Sequence, residues 1–330
     1  MERENYEISI IIPVYKVESF IGRCVQTLME QSLAEVEYIF VDDATPDRSM
    51  EVLEQVLQRY PQRRSAVKIL HHDANQGLPA ARNTGLEVAT GEYVFHCDSD
   101  DFVEKEMLER MYAKARETGA DFVWCDWSLS YRQTERRMVQ PELDTPEAAV
   151  KGMLADAMKF NVWNKLVRRS LYSDYGIRFP TGHSMGEDMT MIRLAAVARK
   201  VAYVPGAFYH YVKTNVEAMT QHLNERHLAD LQHNVSETLA FLQQRFGDGL
   251  QQERAFFLLN VKLPFLITDD WASYRRWTAW WPEANAYIWQ NRRLPWRTRA
   301  LQALAARKCY AGVWIYYVLL YKCLYRWLYR

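Results

Sequence analysis

The chain has 330 residues, 49% of them hydrophobic and 25% charged, which is ample for a buried core and excludes a disordered chain. Its 41 basic and 41 acidic residues cancel only in total: no Asp or Glu follows Glu283, nine Lys or Arg residues do, and residues 1–283 therefore carry a net charge of −9. Five cysteines without Cys-x-x-Cys or Cys/His spacing argue against a disulfide framework or a zinc site, and the charged start MERENYEIS argues against a signal peptide, so a reducing cytoplasmic setting is expected.

Ile8 to Val14 is a short, β-branched apolar run closed by Pro13 and predicts a buried strand. Helical spacing follows over Ser19 to Gln31. Val36 to Val41 predicts a second strand ending in Asp42 and Asp43, with a helix through Met50, Val52, Leu53 and Leu57 behind it. Val67 to Leu70 and Tyr93 to Cys97 predict two more strands, separated by a helix that starts at Gly77 and runs to Ala89. Glu104 to Thr118 reads as the next helix and Phe122 to Cys125 as a fifth strand. This alternation predicts an α/β fold, a mostly parallel sheet with helices on both faces. Asn224 to Gln244 and Glu253 to Ile267 are helical in spacing, so the C-terminal third is expected to be helical.

In such a fold, ligands bind beyond the carboxyl ends of the strands. Those ends read Pro13-Val14-Tyr15, Asp42-Asp43, His71-His72 and Asp98-Ser99-Asp100, and all are expected to face one crevice. Residues two apart on an extended chain share a side, so Asp98 and Asp100 can converge on a hard cation, Mg²⁺ or Mn²⁺, that keeps positions free for phosphate oxygens. An acidic turn capping the following helix is the competing reading, with Asp101 as the cap. Neither GxGxxG nor GxxxxGK[ST] occurs, which disfavours a dinucleotide oxidoreductase or a P-loop NTPase.

IIPVYK (Ile11–Lys16), VDDAT (Val41–Thr45), NQGLPAARNTGL (Asn75–Leu86) and CDSDD (Cys97–Asp101), in this order and spacing, resemble the successive signatures of family 2 inverting glycosyltransferases, of bacterial surface-polysaccharide type. WNKL (Trp163–Leu166) and GEDM (Gly186–Met189) extend the resemblance to about residue 220. The resemblance implies the GT-A fold, with a catalytic domain over 1–220 made of a nucleotide-sugar half (1–125) and an acceptor-side half (126–220), and a helical region over 221–330. It implies that Pro13 and Tyr15 line the base pocket, that Asp43 accepts from uracil, and that Arg82 lies near the donor phosphates. Asp98 and Asp100 would form a DxD-type motif, with Asp100 the direct metal ligand. Asp188 would be the catalytic base, and Trp163, Asn164, Lys165 and Glu187 would serve the acceptor side.

Structural readings stand beside these. Trp163 can be core. Glu187 and Asp188 open a predicted helix, Met189 to Ala198, whose positive end should keep a carboxylate ionised, as at any ordinary helix start. His183 can contact ligand or simply be solvated. Where the family pattern has Tyr-Arg and then Ser-Ile-Thr in a loop over the diphosphate, this chain has Tyr211-Val212-Lys213 and Ala218-Met219-Thr220. His210 and Lys213 are thus weaker candidates for the diphosphate.

The resemblance implies transfer of a sugar from a nucleotide diphosphate, UDP expected, to a hydroxyl of a glycan or lipid-linked glycan. A nucleotidyltransferase is the enzymatic alternative, though it should carry a Gly-rich basic loop after the first strand. The non-enzymatic alternative is a scaffold using the tail. That tail mixes Trp296, Trp314 and Trp327 with nine cations, and its longest uncharged apolar run, Tyr310 to Tyr321, is too short to span a bilayer. Peripheral attachment to an anionic membrane surface on the cytoplasmic side is expected, with packing on protein as the alternative and no nucleic acid as partner.

Overall fold

The computed structural model describes residues 6–214 and 224–319. The chain forms two compact units, residues 1–150 with 160–242 and residues 151–159 with 243–330.

The first unit opens with β1 (Ile8–Val14), buried at every residue, then α1 (Ile21–Met29), β2 (Val36–Asp42), α2 (Ser49–Leu57), β3 (Val67–His71), α3 (Leu78–Val88) and β4 (Tyr93–His96). Period two divides β1 between two layers. Ile8, Ile10, Ile12 and Val14 pack with α1, α2 and a later helix, α4 (Met107–Thr118), in one apolar cluster, whereas Ile11 faces α3. The approach of α3 is so close that a Cβ on Gly85 would stand 2.5 Å from the Ile11 Cγ2. Pro13 lies past Ile11, the last β1 residue paired with β4, where the ladder on that side has ended.

After β4 come the two-residue β5 (Phe102–Val103), α4, β6 (Phe122–Ser130), β7 (Glu135–Met138), α5 (Pro146–Leu154), β8 (Lys165–Arg168), α6 (Ser170–Asp174), α7 (Thr190–Val197) and β9 (Val201–Val212). Among the described residues the sheet runs β3-β2-β1-β4-β8-β6-β9-β5, with β7 paired to β6. The parallel arrangement expected from the alternation holds over β3-β2-β1-β4. Beyond it the sheet is mixed: β8 enters antiparallel between β4 and β6, and β6 pairs in parallel with β9. A four-residue strand flanked by loop leaves little periodic signal, which is why alternation alone misses β8.

β6 also runs past the predicted Cys125. Its buried Asp126 ended the apolar run, yet Asp126 is satisfied by Arg137 Nη2 (2.6 Å), the Gln140 N–H (2.7 Å) and the Tyr203 hydroxyl (2.8 Å). α4 begins at Met107, three residues later than expected, and Asp101 does not cap it. The Asp101 carboxylate instead accepts from the Tyr209 hydroxyl and the Val212 N–H, both at 2.7 Å, which ties the segment after β4 to β9.

α8 (Glu225–Phe246), α9 (Gln251–Lys262), α10 (Trp271–Ala279), α11 (Trp296–Ala306) and α12 (Tyr310–Tyr317) make the C-terminal region helical, as the spacing predicts. Among the described residues no helix is long and apolar enough to cross a membrane. Ala218-Met219-Thr220 and the tail from residue 320, with Trp327, lie outside the described residues.

Candidate active site

A cleft of about 430 Å³ opens at the carboxyl ends of β1, β2 and β4. Pro13 and Tyr15 border it after β1, Asp43 after β2, Gly77 and Arg82 at the start of α3, and Asp98 and Asp100 after β4; Trp163, Glu187, Asp188 and Tyr211 come from the later part of the unit. The strand-end residues expected to share one crevice therefore do so, except Asp42, which binds the Thr45 N–H and His71 instead, and His71 and His72 themselves.

His72 has a supporting position. Its Nδ1 lies 2.7 Å from Asp43 Oδ1 and its Nε2 2.9 Å from the Thr84 hydroxyl. Asp43 also accepts the Gln76 and Gly77 N–H groups, each at 2.8 Å, and so fixes the loop that starts α3. Gly77 adopts φ 87° and ψ 162°, a conformation closed to other residues, and this turns the chain back over the Asp43 carboxylate. Three of the roughly four acceptor directions of Asp43 are occupied, leaving one for a ligand N–H. Tyr15 is 40% exposed, an open ring beside this carboxylate.

Arg82 is buried within the cleft wall at 1% exposure. Its Nη2 donates to Asp98 Oδ1 at 2.8 Å, while Nε and Nη1 are buried with no partner. Burial alone would lower its pKa, but the charges of Asp98, Glu187 and Asp188 outweigh that and hold the cation. Arg82 thus brings a buried positive charge to the cleft wall, and its two orphaned donors are a local cost.

Glu187 and Asp188 sit in a single 3-10 turn, Glu187–Met189, ahead of α7. Gly186 introduces the turn at φ 89°, where a side chain would be strained. The helix-start argument predicts carboxylates eased into the charged form, whereas burial here works the other way. Both side chains keep some surface on the cleft but are closely walled by protein, so burial, reinforced by the Asp188 charge and opposed by Arg82, pushes Glu187 up to about 8. Burial likewise lifts Asp188 to about 6, against the pull of Arg82 and with Asp98 adding to it. Desolvation outweighs the dipole of one short turn. Asp188 Oδ1 also accepts the Val162 N–H at 3.3 Å.

Trp163 is both core and cleft wall. At 6% exposure it stacks on Tyr209 (4.5 Å, 16°) and Tyr211 (5.4 Å, 10°) and meets Trp127 edge-on. Asn164 and Lys165 do not border the cleft. Asn164 donates to the Cys125 carbonyl at 2.8 Å and accepts from Lys165 Nζ at 2.6 Å, and burial lowers Lys165 to about 7. His210 is also elsewhere: Glu135 and Glu104 hold its two ring nitrogens at 2.9 and 2.7 Å, and Phe102 stacks on it at 4.2 Å. Lys213 is exposed, with Nζ 4.5 Å from the Tyr211 ring. His183 pairs with Asp230 at 3.1 Å and stacks on His233. Tyr211 borders the cleft and Tyr209 lies buried behind Trp163; that stacking went unread in the sequence, although their i, i+2 spacing on a strand was the available signal.

Asp98 and Asp100 supply hard oxygen donors on one side of the cleft, and no cluster of three or more His, Cys, Asp or Glu able to hold a metal ion occurs among the described residues. Such a sparse donor set fits Mg²⁺ or Mn²⁺, which take most of their ligands from phosphate and water.

The family model described as glycosyl transferase family 2 matches residues 9–186, more than half of the chain. The uncharacterized glycosyltransferase EpsJ of Bacillus subtilis (strain 168) is 30% identical over 280 residues, 81% of this chain and 78% of its own length. The poly(ribitol-phosphate) beta-glucosyltransferase of Bacillus spizizenii is 30% identical over 223 residues, 65% of this chain and 33% of the relative. Among solved structures, S. aureus TarS in complex with UDP-GlcNAc aligns with a TM-score of 0.73 and 19% identity, covering 95% of this chain and 91% of that one, a likeness of fold.

Proposed function

The chain belongs to glycosyl transferase family 2, and from that premise we propose that it is a metal-dependent, inverting transferase moving a sugar from a UDP-sugar to a hydroxyl of a glycan or lipid-linked glycan in surface-polysaccharide synthesis. Membership sets aside the nucleotidyltransferase and the non-enzymatic scaffold. The observation that carries the reading is the shared cleft, with Tyr15, Asp43, Arg82, Asp98 and Asp100 on one side and Glu187 and Asp188 on the other. Its volume suits a ligand of nucleotide-sugar size.

In this reading Tyr15 stacks on the base, Pro13 borders it, and the remaining acceptor direction of Asp43 takes the imide N–H. Arg82, on the cleft wall, supplies positive charge for the donor phosphates. Asp100, with Asp98, would hold a Mg²⁺ or Mn²⁺ ion that neutralises charge on the departing diphosphate. Asp188 takes the proton of the acceptor hydroxyl as its oxygen bonds to the anomeric carbon, while the bond from that carbon to the diphosphate breaks and its electron pair leaves with UDP. A carboxylate near pH 6 is ionised at neutral pH yet basic enough to receive that proton. Glu187, whose carboxyl pKa burial pushes upward, serves the acceptor side beside Asp188. Trp163 supports that side as a rigid wall, and Asn164 and Lys165 brace the segment that carries it. His210 and Lys213 keep at most an indirect part, through β9 and Tyr211. The GT-A catalytic domain spans 1–220 in this reading, and the basic helical region after it meets an anionic membrane surface on the cytoplasmic side.

The test is a panel of nucleotide sugars assayed for hydrolysis with and without Mn²⁺. UDP-sugars are expected to respond and chelation to abolish the response. A response to GDP-sugars alone refutes the base assignment, and turnover unaffected by chelator refutes the metal.

A further inference from the structure

Within the second unit, a 3-10 segment, Pro282–Gln290, leads through Asn291–Pro295 into α11. The corner is firmly seated, for Ala284, Ile288, Asn291 and Leu301 are all buried. What it turns outward is unlike an ordinary surface. Trp289 is 56% exposed and Trp296 65% exposed, although tryptophan is normally well buried. Between and beside them Arg292, Arg293 and Arg297 are exposed. Arg299 holds the first ring in place, its Nη1 donating to the Trp289 carbonyl at 3.2 Å and its guanidinium lying 5.9 Å from the ring. Arg297 lies 6.0 Å from the Trp296 ring. No acidic residue occurs after Glu283, so these cations have no acidic side chain beside them within the segment.

We infer that the corner Trp289–Arg299 is a docking surface for an anionic lipid bilayer, with both indoles at headgroup depth and Arg292, Arg293 and Arg297 on lipid phosphates. The inference rests on the membrane-surface reading above and shifts its centre from the terminal tail to this fixed corner. Two features favour a bilayer over a protein or a soluble polyanion. Indole rings flanked by cations suit the boundary between acyl chain and headgroup, where one side of the ring is apolar and the other wet. In the same unit α12 and the turn just after it also expose apolar side chains, Trp314 (40%), Ile315 (50%) and Leu319 (60%), which a bilayer covers as readily.

The experiment is vesicle sedimentation of the full chain on phosphatidylcholine with and without phosphatidylglycerol, joined to quenching of tryptophan fluorescence by bromine-labelled lipid. Each basic residue at an anionic surface is worth about fivefold in partitioning at low salt. The Arg292→Ala/Arg293→Ala/Arg297→Ala variant should therefore bind phosphatidylglycerol vesicles on the order of a hundredfold more weakly. Trp289→Ala/Trp296→Ala should lose most of the bromine quenching. Both should keep wild-type nucleotide-sugar hydrolysis and melting temperature, which separates docking from folding and catalysis. If removal of residues 320–330 abolishes binding while both corner variants match wild type, the membrane reading stands and the corner is overturned. Wild type that ignores anionic vesicles overturns both. Capture by dextran sulfate with no bromine quenching on vesicles overturns the bilayer in favour of a soluble polyanion.

Discussion

Replacing Asp188 by Asn should stabilise the protein while stopping its chemistry. In the native state the Asp188 carboxyl titrates near 6, raised by burial despite Arg82, whereas an aspartate in an unfolded chain titrates near ~3.9. Between those values the native state binds the extra proton, so this residue's contribution is most favourable below about pH 4 and is lost as pH rises through about 6. A difference of about two units corresponds to about 2 to 3 kcal/mol of cost at neutral pH, an upper bound because Glu187 shares the same burial. Asn keeps the shape and removes the charge. The variant should melt on the order of 5 °C above wild type at pH 7.5, and the gap should narrow toward pH 5. Transfer should fall about 10²- to 10⁴-fold, the usual worth of a general base. Calorimetry across pH together with initial-rate assays reads both effects. A variant less stable than wild type at pH 7.5, or one that retains transfer, refutes the assignment of Asp188 as a buried, strained base.

Arg82→Met leaves Asp98 without its 2.8 Å partner and should cost about 3 kcal/mol in urea denaturation. Because Arg82 holds the Asp188 pKa down, its loss should also move the acid limb of the pH–rate profile upward; an unmoved limb contradicts the electrostatic link. Asp100→Ala should lower Mn²⁺-dependent turnover at least about 10²-fold, whereas retained turnover removes Asp100 as metal ligand. Gly85→Ala should cost about 1 to 3 kcal/mol because its Cβ meets Ile11, and much of that cost should vanish in an Ile11→Ala background. Strict additivity of the two substitutions in denaturation would locate the strain elsewhere.

The N-terminal half of the fold was legible because each β strand from Ile8 to His96 is a short apolar run and each helix has a clean period between turns. The crevice followed from strand order alone, which brings Tyr15, Asp43 and Asp100 together. Legibility stopped where local pattern and tertiary role part. β8 is four residues long, and its antiparallel entry beside β4 is set by partners distant in sequence. Asp101 carries the composition of a cap but is drawn to Tyr209 and Val212, 108 and 111 residues away. His210, a weaker candidate for the diphosphate in the sequence, is held between Glu104 and Glu135, partners 106 and 75 residues away. The protonation of Glu187 and Asp188 depends on burial, which a helix-start pattern does not encode.

The most direct test of single displacement with Asp188 as base is the anomeric configuration of the first product. Proton NMR of a UDP-α-sugar incubated with enzyme and Mn²⁺, water serving as acceptor, should show the β-anomer appearing first and α-anomer growing only by mutarotation, with no release from Asp188→Asn. Initial release of the α-anomer would contradict inversion, and with it the role given to Asp188.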